Sequence, residues 1–147
     1  MNLPSPFCGH AAIGIVAFAL TGCVSAGTSE HQTTYGYTQT VMSGRLSEMG
    51  DYKSVSGDGQ RTCHSQILPE IRIVAQPAHG EAVVTVAQRP VEAPPGGPLF
   101  YCAGRHVAAK VVQYRSQPGY RGPDHLSYHV VFADGASETY EKTLTVR

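Results

Sequence analysis

Charge is scarce in this sequence, and its absence excludes several functions. Lys+Arg and Asp+Glu are both 11, so the formal net charge is zero. A balanced surface lacks the basic footprint that nucleic acid or an anionic membrane surface would select. Carboxylates are too few for a paired glycosidase-like site. There is no Ser nucleophile elbow, no Gly-rich phosphate loop and no H-E-x-x-H motif. No apolar period of 3.6 residues runs through the chain beyond its N-terminal stretch, so amphipathic helices are not expected. At 147 residues there is room for one domain.

Charge is missing altogether from the start of the chain, where Glu30 is the first formal charge. Inside that stretch "AAIGIVAFAL" (11–20) is an apolar run of about ten residues, too short to cross a bilayer core. It has the length of a signal-peptide apolar region. Next come Leu20, Thr21, Gly22 and Cys23. This quartet resembles the lipobox of bacterial lipoproteins, which implies lipidation of Cys23, removal of residues 1–22 and a lipid anchor in the membrane. Val24 rather than Asp follows the cysteine, so the resemblance implies the outer membrane. An alternative cut after Val24-Ser25-Ala26 would release a soluble periplasmic protein. In an exported chain Cys63 and Cys102 face an oxidising compartment, and a disulfide between them is expected. It would close a loop of about 40 residues, valued at ~4 kcal/mol by chain entropy.

Residues 23–34 read as the lipidated cysteine and a flexible tether, and 35–147 as the domain. Strand signals recur through it. Tyr35, Tyr37, Gln39 and Val41 alternate with Thr38, Thr40 and Met42. "SEMGDYKSVSGDGQ" (47–60) has loop composition. "EIRIVAQ" (70–76) puts Ile71, Ile73 and Ala75 on one face, and "EAVVTVAQ" (81–88) is β-branched. "RPVEAPPGGP" (89–98) cannot be a central strand, because proline removes donors. "LFYCAG" and "AKVVQYR" are further short candidates. In 125–133, Leu126, Tyr128, Val130 and Phe132 alternate with His125, Ser127, His129 and Val131. Asp134-Gly135 then turns the chain into a last strand with Leu144 and Val146 inward. Many short strands with Gly/Pro turns predict an all-β, antiparallel sandwich.

"QPAHGEAVV" followed by "VVQYRSQPGYRGPDHLSYHVVFADG" resembles bacterial Ig-like, cadherin-like sandwich domains of exported proteins. Pro77, His79, Gly80, Tyr114, Pro118, Gly119, Tyr120, Gly122, Asp124, Tyr128, Val130, Asp134 and Gly135 fall into their pattern. The resemblance covers roughly residues 70–147. It implies an Ig-like fold and no particular reaction.

The candidate sites sort by geometry. His125 and His129 in a strand are ~13 Å apart, too far to share one metal. Cys63, His64, Cys102 and His106 could form a zinc set, but adjacent Cys-His side chains in a strand point to opposite faces. Asp124 is expected to accept backbone N–H bonds in its turn, since calcium would need Asp134, Glu138 and Glu141 to converge with it. Gly80 is expected to supply a positive φ beside His79, and Gly119, Gly122, Asp134 and Gly135 are read as turn residues. No metal, cofactor or catalytic residue is expected. Tyr35, Tyr37, Tyr101 and Tyr120, with loop 89–98, are the candidate binding surface. The expected function is a non-catalytic binding or structural module of the cell envelope, with a protein or glycan partner. The alternative is a soluble periplasmic enzyme or enzyme inhibitor.

Overall fold

The computed structural model describes residues 32–57 and 62–147. The signal-peptide and Cys23 expectations therefore lie outside the described residues. Among the described residues nine strands follow in order: β1 Gln32–Val41, β2 Leu46–Tyr52, β3 Val55–Gly57, β4 Cys63–Ser65, β5 Glu70–Ala75, β6 Gly80–Pro90, β7 His106–Ser116, β8 Gly122–Val131 and β9 Ser137–Val146. One four-stranded sheet has the order β1-β9-β8-β5, a three-stranded sheet has the order β2-β7-β6, and β3 pairs with β4. All these pairings are antiparallel except β1 with β9, which is parallel. β1 begins at Gln32, so residues 32–34 belong to a strand rather than to the expected tether.

The two larger sheets share one core. Val41, Met49, Ala82, Val112, Tyr114, Leu126, Tyr128, Val130, Leu144 and Val146 form a buried cluster drawn from β1, β2, β6, β7, β8 and β9. Each Val, Leu or Met side chain among them contributes about 1.5–3 kcal/mol when taken from water. The period-2 pattern of 125–133 is carried into β8, where Leu126, Tyr128 and Val130 are buried and His125 and Val131 are exposed. Ile71 and Ile73 pack against the same cluster from β5.

Two expectations from composition fail here. All of β2 but Leu46 falls in the segment read as loop: its register shifts between Glu48 and Gly50, so Met49 is an extra residue of a bulge. The bulge resets the alternation that marks a strand, which hides β2 from pattern reading. "LFYCAG" is not a strand, since Phe100–Cys102 form one turn of 3-10 helix. Pro90 ends β6, an edge strand, where its missing N–H costs no ladder bond.

β7 is buried on both faces. Val112 and Tyr114 point into the main core, whereas Val107, Ala109 and Val111 have the opposite parity and are also buried. A second small cluster packs on that far side, with Val91, Cys102 and Val107 buried and Val55, Cys63, Ala93, Leu99 and Tyr101 around them. The Cys63–Cys102 disulfide, with Cα atoms 5.8 Å apart, fastens it. The long insertion between β6 and β7 is thus a cover for the outer face of the three-stranded sheet.

Candidate functional site

Asp124 stands at the start of β8 and is buried. Its carboxylate accepts N–H bonds from Ala78 at 2.9 Å, His79 at 3.2 Å and His125 at 2.9 Å, and the Tyr114 O–H at 2.8 Å. The backbone-acceptor role matches the reading from sequence, but two of the three N–H donors lie in the β5–β6 turn and not in its own turn. Gln117 N–H donates to His79 O at 2.8 Å, closing the same corner from the β7–β8 turn. The His79 ring stacks on Tyr120 at 4.0 Å between centroids, and Tyr120 O–H donates to Pro123 O at 2.6 Å. An open, shallow depression lies beside it, lined by Gln76, His79, Asp124, His125 and Thr143 among others. With its hydrogen bonds spent on three chain segments, Asp124 acts as a structural tie.

Gly80 does not have the positive φ expected of it; Gly119 (φ 81°), Gly122 (φ 136°) and Gly135 (φ 87°) do. Gly80 is needed for space, because a Cβ there would lie 2.6 Å from Arg115 O and 2.6 Å from a ring carbon of Tyr114. Asp134 accepts the Ala136 N–H at 3.0 Å in the β8–β9 hairpin. Cys63 and Cys102 are bonded to each other. His125 and His129 find separate partners, Glu141 at 2.8 Å and Thr139 Oγ1 at 3.0 Å. Of the proposed recognition loop, Val91 is buried and exchanges backbone bonds with Gly104 and Arg105. Tyr101 closes on Gly57, where a Cβ would overlap its hydroxyl.

That leaves Tyr35 and Tyr37, which the structure brings into a larger array. The parallel register sets Tyr35 beside Tyr140 and Tyr37 beside Lys142, while β8 sets Tyr128 on the other side of Tyr140. Tyr140 stacks on Tyr128 at 5.1 Å and on Tyr35 at 5.4 Å. Tyr52 from β2 meets Tyr128 and Tyr140 edge-on. At the outer end Tyr35 and Tyr37 are 37% and 48% exposed. Lys142 is only 8% exposed and lies with Nζ 4.3 Å from the Tyr37 centroid, a cation–π contact.

Burial sets the electrostatics of this array. Desolvation pushes the Tyr128 phenol up to about 12. It also lifts Tyr52 and Tyr140 well above the usual phenol range, helped by hydrogen bonds to Tyr128 and Glu138 respectively. Burial pulls the Lys142 ammonium below its ordinary value. A row of stacked rings running to an exposed edge, with an ammonium beneath it, is suited to stacking and edge pairing. Sequence reasoning misses Tyr52, Tyr128, Tyr140 and Lys142 as members of this array, since nothing local announces that β1 lies parallel to β9.

No family model matches this chain, and no curated protein matches it. A solved structure, "Solution Structure of Amebosin", aligns over 79% of this chain and 98% of its own, at 10% identity and a TM-score of 0.39. A likeness that low carries no argument.

Proposed function

We propose that this chain is an exported lipoprotein of the outer membrane, whose Ig-like, cadherin-like sandwich is a non-catalytic binding and structural module. The strand order β1-β9-β8-β5 facing β2-β7-β6, with β1 parallel to β9, supports the Ig-like assignment. Leu20-Thr21-Gly22-Cys23 supports the anchor, and β1 follows it after a short segment. The observation that carries the binding role is the half-exposed pair Tyr35 and Tyr37 on edge strand β1, stacked against Tyr140. Large aromatic area at an unpaired edge is costly to leave in water and favourable to cover.

Two experiments test the parts separately. Metabolic labelling with a fatty acid should mark the wild-type chain and not Cys23→Ala, and the variant should leave the membrane fraction. A Cys23→Ala chain that is still processed normally, with the wild type equally soluble, removes the anchor. For binding, capture from envelope fractions should retain a protein or glycan that Tyr35→Ala/Tyr37→Ala loses. Capture indifferent to both tyrosines removes β1 as the binding surface.

A further inference from the structure

We infer that β1 is a self-pairing edge: two copies of this chain join antiparallel along β1, about a twofold axis through Gly36. This deepens the reading of β1 as the binding surface and rests on it.

The four edges of the two packed sheets are not alike. β2 carries a bulge at Glu48/Gly50 with Glu48 and Asp51, and β5 carries a bulge at Ile73/Ala75 with Glu70 and Arg72. β6 carries Glu81 and Arg89 and ends in Pro90. Bulges, charges and prolines are the devices that keep edges from pairing. β1, "QTTYGYTQTV", has none of them: it holds no charge and no proline, and its register with β9 runs unbroken from Gln32 to Val41. Among the described residues nothing pairs with its other side.

Its sequence also selects the partner. Thr34-Tyr35-Gly36-Tyr37-Thr38 reads the same in both directions. Antiparallel pairing centred on Gly36 sets Tyr35 opposite Tyr37 of the second copy, and Thr34 opposite its Thr38. Aromatic–aromatic and Thr–Thr pairs are among the favourable cross-strand neighbours. The row Tyr128, Tyr140, Tyr35 would continue into Tyr37 of the second copy, covering the exposed rings. Glu141, beside Gly36 in the register, would face its counterpart across three strand spacings, ~14 Å, beyond the screening length at ~0.1 M salt. A twofold contact of one edge with itself closes at two chains, and the protected edges stop further growth.

The test uses the full chain in mild detergent. Gly36→Cys is tolerable, since a Cβ there meets nothing within 4 Å. A short thiol–thiol crosslinker should join two Gly36→Cys chains at least tenfold more efficiently than two Thr40→Cys chains, whose new sulfurs would be ~26 Å apart in the pair. Both variants keep the native cysteines, so the difference reads position alone. Thr34→Lys/Thr38→Lys, at exposed positions, should weaken dimerisation in sedimentation equilibrium by at least tenfold while the chain still melts cooperatively. Equal crosslinking at 36 and 40, or a wild type that sediments as a monomer at every concentration, overturns self-pairing. Crosslinks in envelopes that join position 36 only to a different chain also overturn it, yet leave β1 standing as a binding surface. No crosslink of any kind from position 36 overturns self-pairing, while the binding surface falls only with capture that is indifferent to Tyr35 and Tyr37.

Discussion

The Tyr114 hydroxyl donates a 2.8 Å hydrogen bond to Oδ2 of Asp124, with both side chains buried. The same carboxylate holds the N–H groups of Ala78, His79 and His125. Removing it leaves donors from three segments without their acceptor at once, the Tyr114 hydroxyl fully buried and the three N–H groups partly so. Asp124→Ala should therefore lower stability by roughly 3 kcal/mol, and Tyr114→Phe, which leaves Asp124 its backbone donors, by about 1–2 kcal/mol. On a domain this size the first corresponds to a fall in Tm of roughly 10 °C. Thermal melts of the two variants decide it, and an Asp124→Ala chain as stable as Tyr114→Phe would show the tie to be weak.

Gly80 and Gly119 are both turn glycines in the sequence, yet they serve different constraints. A Cβ on Gly80 meets Arg115 O and Tyr114 at 2.6 Å, whereas one on Gly119 meets open space but a φ of 81°. Gly80→Ala should cost about 2 kcal/mol through overpacking. Gly119→Ala should cost about 1 kcal/mol, and Gly119→Asn less, because Asn tolerates the left-handed region. Urea midpoints separate the cases: Asn should rescue position 119 and worsen position 80.

The same contrast explains how much of the molecule is legible in its sequence. Strands β5, β8 and β9 announce themselves through a period-two pattern with one face turned to the core, as in Leu126, Tyr128 and Val130, whereas β6 and β7 show as short β-branched runs. The Met49 bulge hides β2, and proline-rich composition hides the cover over β7. Asp124 reads as an N–H acceptor, but Ala78 and Tyr114, its distant partners, depend on tertiary packing that no local pattern carries. Tyr35 and Tyr37 stand out as aromatic area. Their neighbours Tyr140 and Lys142 do not, since the parallel β1–β9 register joins opposite ends of the domain.

The disulfide should matter locally as well as globally. Cys63 and Cys102 are separated by 39 positions, so reduction restores about 4 kcal/mol of loop entropy to the unfolded chain. The small cluster of Val91, Cys102 and Val107 has few other anchors and should open first. Limited proteolysis of Cys63→Ser/Cys102→Ser should cut within residues 91–105 before the sandwich unfolds. Cleavage spread evenly over the chain would show that the cluster holds without its bond.

The buried phenols fix the behaviour in alkali. Tyr52, Tyr114, Tyr128 and Tyr140 all have folded values raised above 10.0, chiefly by burial, with Tyr128 at about 12. A raised acid contributes stability that is complete below its unfolded value and is lost as pH rises through the folded one. Between roughly pH 10 and 12 the unfolded chain has released these protons and the folded chain has not. Stability should fall there by up to about 1.4 kcal/mol per pH unit for each phenol. Tyrosinate absorbance and circular dichroism should change together, and a stability that stays level from pH 10 to 11 would contradict the assignment.

Lys142 has the opposite sign. Its folded value is lowered from 10.5 by burial, so at neutral pH the fold holds an ammonium it disfavours, offset in part by the Tyr37 face. A cation–π contact at a partly covered site contributes about 0.5–1 kcal/mol, less than the cost of taking an ammonium out of water. Lys142→Met keeps the length and the apolar stem beside Leu126, its partner across the β8–β9 ladder. It should raise stability at pH 7 by about 1 kcal/mol, the surplus of that desolvation over the ring contact. Because the unfolded chain binds more protons than the folded one between the folded value and 10.5, wild-type stability gains with pH in that window. The advantage of Lys142→Met must therefore shrink as pH climbs towards 10. Taking the difference between variant and wild type cancels the tyrosine contributions common to both. Urea midpoints at neutral pH and near pH 10 are sufficient, and an advantage that widens with pH would mean that the fold favours the Lys142 charge.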